Sequence, residues 1–312
     1  MTSTDPKPLS LSRRKKEEWL AAYAFLSPTI VGLLLFVAFP LIASFYFSLT
    51  EWSMLAPPKF IGLENYRTAL FGDPITCSSG CFWQSVVNTL RFIVLGPTSY
   101  LLLALLLALL ANKQFRGRNL FRAICFMPVV VSLVSAAITW RWLFNVNSGT
   151  VNQLLDVVGI SGPAWLTDAS YAMGGIAIAT TWKTAGIGMT FLLAGLQDIP
   201  RTLYEAADVD GASAWTKFRY ITLPMLTPTI FYLLITTLIG AFQLYDVVLV
   251  MTAGGPFHTT ETIVYHLTNK ITGFGQLQAG YASAVSWILF VILFVLTLIN
   301  VRLSKRWVFY DR

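Results

Sequence analysis

Charged residues are scarce: they make up 12% of this 312-residue chain, about half the ~25% of an ordinary soluble domain. With 55% hydrophobic residues and a mean hydropathy of +0.64, the chain has too few water-loving groups to cover a surface. That excludes a water-soluble fold and calls for a surface facing lipid, a solvent as apolar as leucine. Cysteine is nearly absent. Cys77, Cys81 and Cys125 are too few for a disulfide framework, and Cys125 lies in an apolar run as inert packing. Cys77 and Cys81 flank Ser78-Ser79-Gly80 in a polar loop, where a bridge is compatible with an oxidising compartment, while a zinc site needs more ligands nearby. The two histidines, His258 and His266, have no ligand-like spacing and are assigned no role. A G-x-x-x-x-G-K-[ST] phosphate loop is missing too, which excludes ATP hydrolysis by the usual route.

What the chain does have is apolar length. A membrane-spanning helix needs about 20 mainly apolar residues, and six stretches qualify: Trp19–Leu49, Ser85–Ala111, Leu120–Phe144, Tyr171–Leu196, Pro228–Thr252 and Gly280–Leu303. Backbone groups must be satisfied inside lipid, and these lengths suit helices rather than barrel strands. The expected fold is an all-α integral membrane protein with six transmembrane helices over residues 19–303, between short tails at 1–18 and 304–312. Arg13, Arg14, Lys15 and Lys16 precede the first stretch, but its apolar run far exceeds the h-region of a signal peptide, about 7–15 residues. It reads as a retained anchor.

The formal net charge of +7 is a signature that sometimes marks nucleic-acid binding. Here the basic residues collect at the ends of apolar runs, so the partner is the lipid bilayer and no nucleic acid is expected. They also collect on one side. Lys7, Arg13, Arg14, Lys15 and Lys16 precede the first span; Lys113, Arg116, Arg118 and Arg122 follow the second; Arg201, Lys217 and Arg219 follow the fourth; Arg302, Lys305, Arg306 and Arg312 close the chain. Only Lys59, Arg67 and Lys270 fall on the other side. The positive-inside rule then expects both termini in the cytoplasm. Trp19, Trp52, Trp83, Trp140, Trp142, Trp287 and Trp307 lie near the span boundaries, as interfacial anchors do.

Polar residues inside the spans are costly and mark function by default. Thr180, Lys183, Thr184 and Ile187 recur at i, i+3, i+4 and i+7 in the fourth span, and Thr236, Gly240, Gln243 and Asp246 form a comparable stripe in the fifth. Each hydroxyl of a passing sugar must exchange water for protein hydrogen bonds, and these faces offer donors, acceptors and opposite charges. Ser132 and Ser135 in the third span are further candidates, although serine often bonds its own helix. The competing reading of Lys183 and Asp246 is a structural ion pair that orients two helices.

The fourth connection, residues 197–227, is expected to fold as a helix–turn–helix along the membrane surface. Pro200 suits a first helical turn with Asp198 as its cap, Gly211 suits the left-handed end of a helix, and Pro224 is placed to close the second helix before the fifth span. Ala206 and Ala207 keep one face small enough for a partner to approach, and Glu205, Asp208 and Asp210 can meet basic groups on it.

Glu205-Ala206-Ala207, then Gly211, then Ile221-Thr222-Leu223-Pro224 resembles the EAA loop of ABC importer permeases. Ile61-Gly62-Leu63-Glu64-Asn65-Tyr66, Ala194-Gly195-Leu196-Gln197, Asp210-Gly211-Ala212, Thr252-Ala253-Gly254-Gly255-Pro256 and Gly280-Tyr281-Ala282-Ser283-Ala284 are similar to its carbohydrate branch, typified by maltose and glycerol-3-phosphate permeases. The resemblance covers nearly the whole chain and implies a type I ABC importer transmembrane domain. It implies a coupling helix, Glu205 to Gly211, that docks on a cytoplasmic ABC ATPase dimer carrying ATP and Mg²⁺. It implies a second homologous permease subunit, an extracytoplasmic sugar-binding protein, and a pathway for a disaccharide or oligosaccharide. The pathway set is Thr180, Trp182, Lys183, Thr184, Gln243, Asp246, Ser132 and Ser135. The same role for glycerol-3-phosphate or another polyol is the nearest alternative. An ion-coupled transporter would show repeats and discontinuous helices, and no clear repeat joins the two halves. A membrane enzyme needs clustered acids or histidines at the membrane edge, and the acid-rich segment is already the loop. The chain is therefore expected to be non-catalytic and to bind no cofactor itself.

Overall fold

A computed structural model describes residues 11–72, 82–272 and 277–308; Cys77 and Cys81 lie outside them. The first span is one rod, α1 (Leu11–Leu33) and α2 (Phe39–Ser48), joined by a π turn at Leu34–Ala38. A proline two residues past this turn explains it. The ring of Pro40 removes an amide and crowds the carbonyl four residues back, and the wider turn gives that carbonyl room without breaking the rod. A short antiparallel hairpin follows, β1 (Thr50–Glu51) on β2 (Lys59–Phe60), with Thr50 opposite Phe60. After α3 (Glu64–Phe71) the chain crosses back as α4 (Phe82–Asn112).

The third span is not the single helix that hydropathy describes. It consists of α5 (Arg118–Val130) and α6 (Leu133–Leu143), bent by 100°. Val131 and Ser132 are extended at the break, and the Ser132 hydroxyl accepts the Ser135 amide to start α6. Beyond α7 (Thr150–Val157), α8 (Ala172–Asp198) spans unbroken. The fifth span is also corrected. It begins as α10 (Ala214–Lys217), a π turn at Phe218–Thr222 and α11 (Leu223–Met225), bends by 61°, and continues as α12 (Thr227–Phe242); α9 (Arg201–Val209) precedes it. The chain then leaves helix at Gln243–Tyr245 and resumes as the separate α13 (Asp246–Met251). After α14 (Ile263–Thr272), α15 (Ala279–Trp307) makes the last crossing. Among the described residues, four unbroken helices are long and apolar enough to cross a membrane, and counting each bent pair as one span brings the total to six.

The bundle has two distinct ends. The β-hairpin, α3, α7, α13 and α14 gather at one, called here the hairpin end, and α9 caps the other. Gly280 starts the last span against the hairpin, its amide 3.2 Å from the Trp52 carbonyl. Helices α4 and α8 form the spine. Ala104, Ala108 and Ala111 on α4 are fully buried, and α8 answers with small residues. A Cβ at Gly188 would lie 2.7 Å from both the Ala104 Cβ and the Tyr100 hydroxyl, and one at Gly186 would lie 2.5 Å from the Cys125 carbonyl oxygen on α5. Small residues let helices approach closely where no hydrophobic effect drives them together. Phe92, Ile176 and Val248 centre a core toward the hairpin end, and Leu192, Leu226 and Leu233 centre another toward α9.

Gly186→Val should destabilise the bundle by about 1–3 kcal/mol through overpacking, because the obstructing atom is backbone and cannot rotate away. Gly174→Ala on the same helix meets nothing within 4 Å and serves as the control. Thermal denaturation in detergent should separate the two; equal melting would count against this packing.

Candidate functional site

The connection between α8 and α12 forms the expected surface hairpin, with local corrections. Asp198 is the last residue of α8 and caps nothing, while Pro200 occupies the N-cap position of α9 rather than its first turn. Gly211 has φ +72 and ends α9 in the left-handed region, as expected of a residue without a Cβ. The amide of Ala212 closes the turn on the Ala207 carbonyl at 2.9 Å. Ser213 then caps α10, accepting from the Thr216 amide. Pro224 does not end the second helix. It lies inside α11, two residues past the π turn, and the bend comes at Leu226.

Two contacts brace this hairpin. Lys217 Nζ sits 2.5 Å from Asp208 Oδ1 and the Tyr204 hydroxyl 2.9 Å from that of Thr222. Asp208 is half-exposed or more, so its ion pair is worth about 0–1 kcal/mol and acts chiefly as a register mark. Asp208 thus works inside the hairpin, whereas no ion pair engages Glu205 or Asp210 among the described residues. No residue of α9 is buried. Val209 is 88% exposed, with Trp215 and Tyr220 also presented outward. An apolar tip flanked by unpaired acids has the chemistry of a docking surface.

The two polar stripes do meet, in part. A cleft of ≈ 300 Å³ lies between α4, α8 and α12, lined by Thr180, Thr181 and Thr184 on one side and Thr236, Thr237 and Gly240 on the other. The threonine hydroxyls of Thr180, Thr184, Thr236 and Thr237 donate to carbonyls of their own helices, which leaves oxygen lone pairs facing the space as acceptors. Helix α4 supplies a third wall through Phe92, Gly96, Pro97 and Tyr100. That wall escaped sequence reasoning; the Gly96-Pro97 pair inside a span was its one visible signal.

Other expected pathway residues lie elsewhere. Lys183 turns away from the cleft and donates to the Val129 carbonyl at 2.9 Å. A continuous third span would give that carbonyl an amide four residues on; the break at Val131–Ser132 removes it, and the ammonium takes its place. No ion pair joins Lys183 to Asp246 among the described residues. Gln243 and Asp246 fall past the end of α12, exposed and off the stripe that an unbroken helix would give them. Trp182 packs edge-on to Trp140, ring centres 5.7 Å apart. Ser132 and Ser135 bond one another at the start of α6, 2.8 Å between hydroxyl oxygens.

Residues 101–308 match the family described as the inner membrane component of binding-protein-dependent transport systems. The chain belongs to this family of permeases. It is 37% identical over 289 residues, 92% of this chain and 91% of the relative, to the sulfoquinovosyl glycerol transport system permease protein SmoG of Agrobacterium fabrum. It is 34% identical over 295 residues, 94% of this chain and 97% of the relative, to the trehalose/maltose transport system permease protein MalF of Thermococcus litoralis. Its structure is similar to a chain of the bacterial alginate ABC transporter, crystallised with an alginate pentasaccharide-bound periplasmic protein: TM-score 0.79, 25% identity, 95% of this chain and 97% of that one.

The permease also holds a buried polar cluster that the sequence did not reveal. Glu261 and His266 are 2% and 1% exposed, and the two Glu261 carboxylate oxygens face His258 Nδ1 at 2.5 Å and His266 Nδ1 at 2.7 Å. His258 and Glu261 are three residues apart, but they lie in the turn before α14 rather than on a helix face, so no periodic segment marks them. Nearby, burial, aided by Glu261 and Tyr245, pushes the Tyr265 phenol above its ordinary value, and its hydroxyl donates to the Ala253 carbonyl at 2.8 Å.

Lys183→Met removes the donor that holds the bent third span of this permease. The orphaned Val129 carbonyl should cost about 1–3 kcal/mol, seen as a lower melting temperature and reduced uptake in protein that still assembles. Lys183→Arg keeps a donor and should recover most of both. If Lys183→Met matches the native protein in both measurements, the carbonyl needs no such partner.

Proposed function

We propose that this permease forms one wall of an ATP-driven sugar importer that works by alternating access. The α9 hairpin carries the reading: an exposed helix with unpaired Glu205 and Asp210, in a protein otherwise built to face lipid. The chain has no phosphate loop, so the energy comes from outside. A cytoplasmic ABC ATPase dimer, which binds ATP and Mg²⁺, grips α9 and moves it. This orientation, with both termini cytoplasmic, agrees with the excess of Lys and Arg at the α9 end. The hairpin end then faces an extracytoplasmic sugar-binding protein, in keeping with the family's dependence on such proteins and with the alginate transporter's periplasmic partner.

The cleft of threonine hydroxyls and the aromatic Phe92 and Tyr100 is half of the pathway, and a second homologous permease supplies the other half. Acceptor oxygens beside apolar walls suit sugar rings, which present hydroxyl donors at their edges and C–H groups on their faces. Trehalose or maltose, sulfoquinovosyl glycerol and alginate, named for the relatives, all supply hydroxyl donors of this kind. The cargo is accordingly a disaccharide or short oligosaccharide.

Three variants test this reading in vesicles holding the complete complex. Glu205→Lys should lower ATP-driven uptake about a hundredfold, since placing like charges together costs several kcal/mol, while the chain still inserts. Unchanged uptake after removal of residues 201–211 would end the coupling assignment. Thr184→Trp should block the cleft and lower uptake at least about tenfold without releasing the ATPase; uptake at the native rate would move the pathway elsewhere.

A further inference from the structure

The break in the fifth span at Gln243–Tyr245 leaves Leu244 without a helical partner for its carbonyl, inside the bundle. The Thr262 hydroxyl fills that place, donating to the Leu244 oxygen at 2.6 Å. Thr262 belongs to a segment that leaves α13, turns through Gly254 and Gly255, and plunges back into the core. Thr260 and Thr262 are fully buried and Glu261 nearly so. Leu244 and Val247 both line the cleft, further toward the hairpin end than the threonine stripes. The groups that fix Leu244 therefore fix the cleft's wall at that end.

The segment is itself anchored to three other elements. Asn88 on α4 donates to the carbonyls of His258 at 2.7 Å and Glu261 at 3.1 Å, and the Thr89 hydroxyl accepts the Ile263 amide at 3.1 Å. Glu261 grips His258 and His266, and His266 Nε2 lies 3.3 Å from the Tyr281 hydroxyl on α15. An ionised carboxylate only accepts. With the ring proton of His266 on Nδ1, the imidazole donates to Glu261 and accepts from Tyr281, so every polar atom in the chain of contacts is satisfied. The Glu261 bridge also ties Thr262 to the last span.

We infer that Thr262 and Glu261 are the positioning residues of a clamp that closes the cleft at the hairpin end. Thr262 holds the broken fifth span inward, and Glu261, through His266 and Tyr281, holds Thr262 against α15. Opening the cleft to that side requires these bonds to part. The inference rests on the pathway reading above, and its test separates the two.

The permease is assembled with its companion subunits in native membranes, with Cys77, Cys81 and Cys125 replaced by serine and Thr184→Cys as the reporter. A charged, membrane-impermeant methanethiosulfonate is applied from the hairpin side, and from the α9 side in inverted vesicles, without nucleotide. With Thr262 and Glu261 native, labelling from the hairpin side should be slow. Thr262→Val and Glu261→Gln should each raise it at least about tenfold, the effect of removing one buried hydrogen bond, while Thr262→Ser should stay at the native rate. A substitution that merely loosened the bundle would raise labelling from both sides alike, and that result overturns the clamp. So does native labelling in both variants, or fast labelling with the clamp intact. Should one variant fail to assemble, Tyr281→Phe breaks the same chain at its last link and is held to the same criterion. Resistance of the reporter from both sides in every variant removes Thr184 from the pathway and so defeats the earlier reading, whereas labelling from the α9 side alone, unchanged by the substitutions, leaves the pathway standing and defeats only the clamp.

Discussion

A backbone carbonyl in hydrocarbon must find a donor, and much of this architecture follows from that demand. Each departure from regular helix carries its own remedy. Where Pro40 and Pro224 deprive the helix of an amide, a π turn widens the preceding residues. Where the third span bends by 100°, Lys183 reaches across from α8 to the Val129 oxygen. Where the fifth span stops, Thr262 returns from a distant loop to the Leu244 oxygen. The first remedy is local; the other two couple a broken helix to another element, and so convert a local fault into a long-range tie.

That distinction explains what could be read from the sequence. Six apolar stretches and the surface hairpin between the fourth and fifth were legible, because hydropathy summed over about 20 residues and a glycine ending a helix are both local signals. The breaks were not. Val131 and Ser132 are two residues in an apolar run, and Gln243 to Tyr245 are three, so an averaging window passes over them. The Thr180–Thr184 and Thr236–Gly240 faces meet along the cleft because both lie on unbroken helix. Gln243 and Asp246 were misplaced because the same period was continued through a break. Glu261 and the two histidines were missed for a different reason: they pair with one another across a loop and a helix start, and the groups that bury them, Asn88 and Tyr281, are remote in sequence.

The polar residues of the spans consequently divide into two kinds. Lys183 has a partner whose need is set by the fold, and its charge is turned onto a carbonyl rather than into the cleft. Threonines 180, 184, 236 and 237 satisfy their own donors within their helices and leave acceptor capacity toward the space. A passing polyol brings hydroxyl donors, so a wall of pre-satisfied hydroxyls can accept from it without first giving up a bond. Broken helices are also a mark of ion-coupled transporters, where freed carbonyls coordinate ions. Here the freed oxygens of Val129 and Leu244 each accept from a protein donor, and the chain belongs to the binding-protein-dependent family.

The connectivity suits the hairpin to the lever role that the proposed coupling requires. Helix α9 follows α8 after only Ile199 and Pro200, and the segment after Gly211 runs through α10, the π turn and α11 directly into α12. The two helices that carry the threonine faces are thus the two attached to the surface hairpin. The Tyr204–Thr222 and Asp208–Lys217 contacts set the register of the two arms of the hairpin against each other. The far ends of those helices are not equally free, since α12 stops at Phe242 and the Leu244 carbonyl just beyond it accepts from Thr262. Under the proposed coupling, a push at α9 would meet resistance at the hairpin end, so that one end of the cleft would open while the other stayed shut. Without it, motion of the hairpin would merely translate the walls.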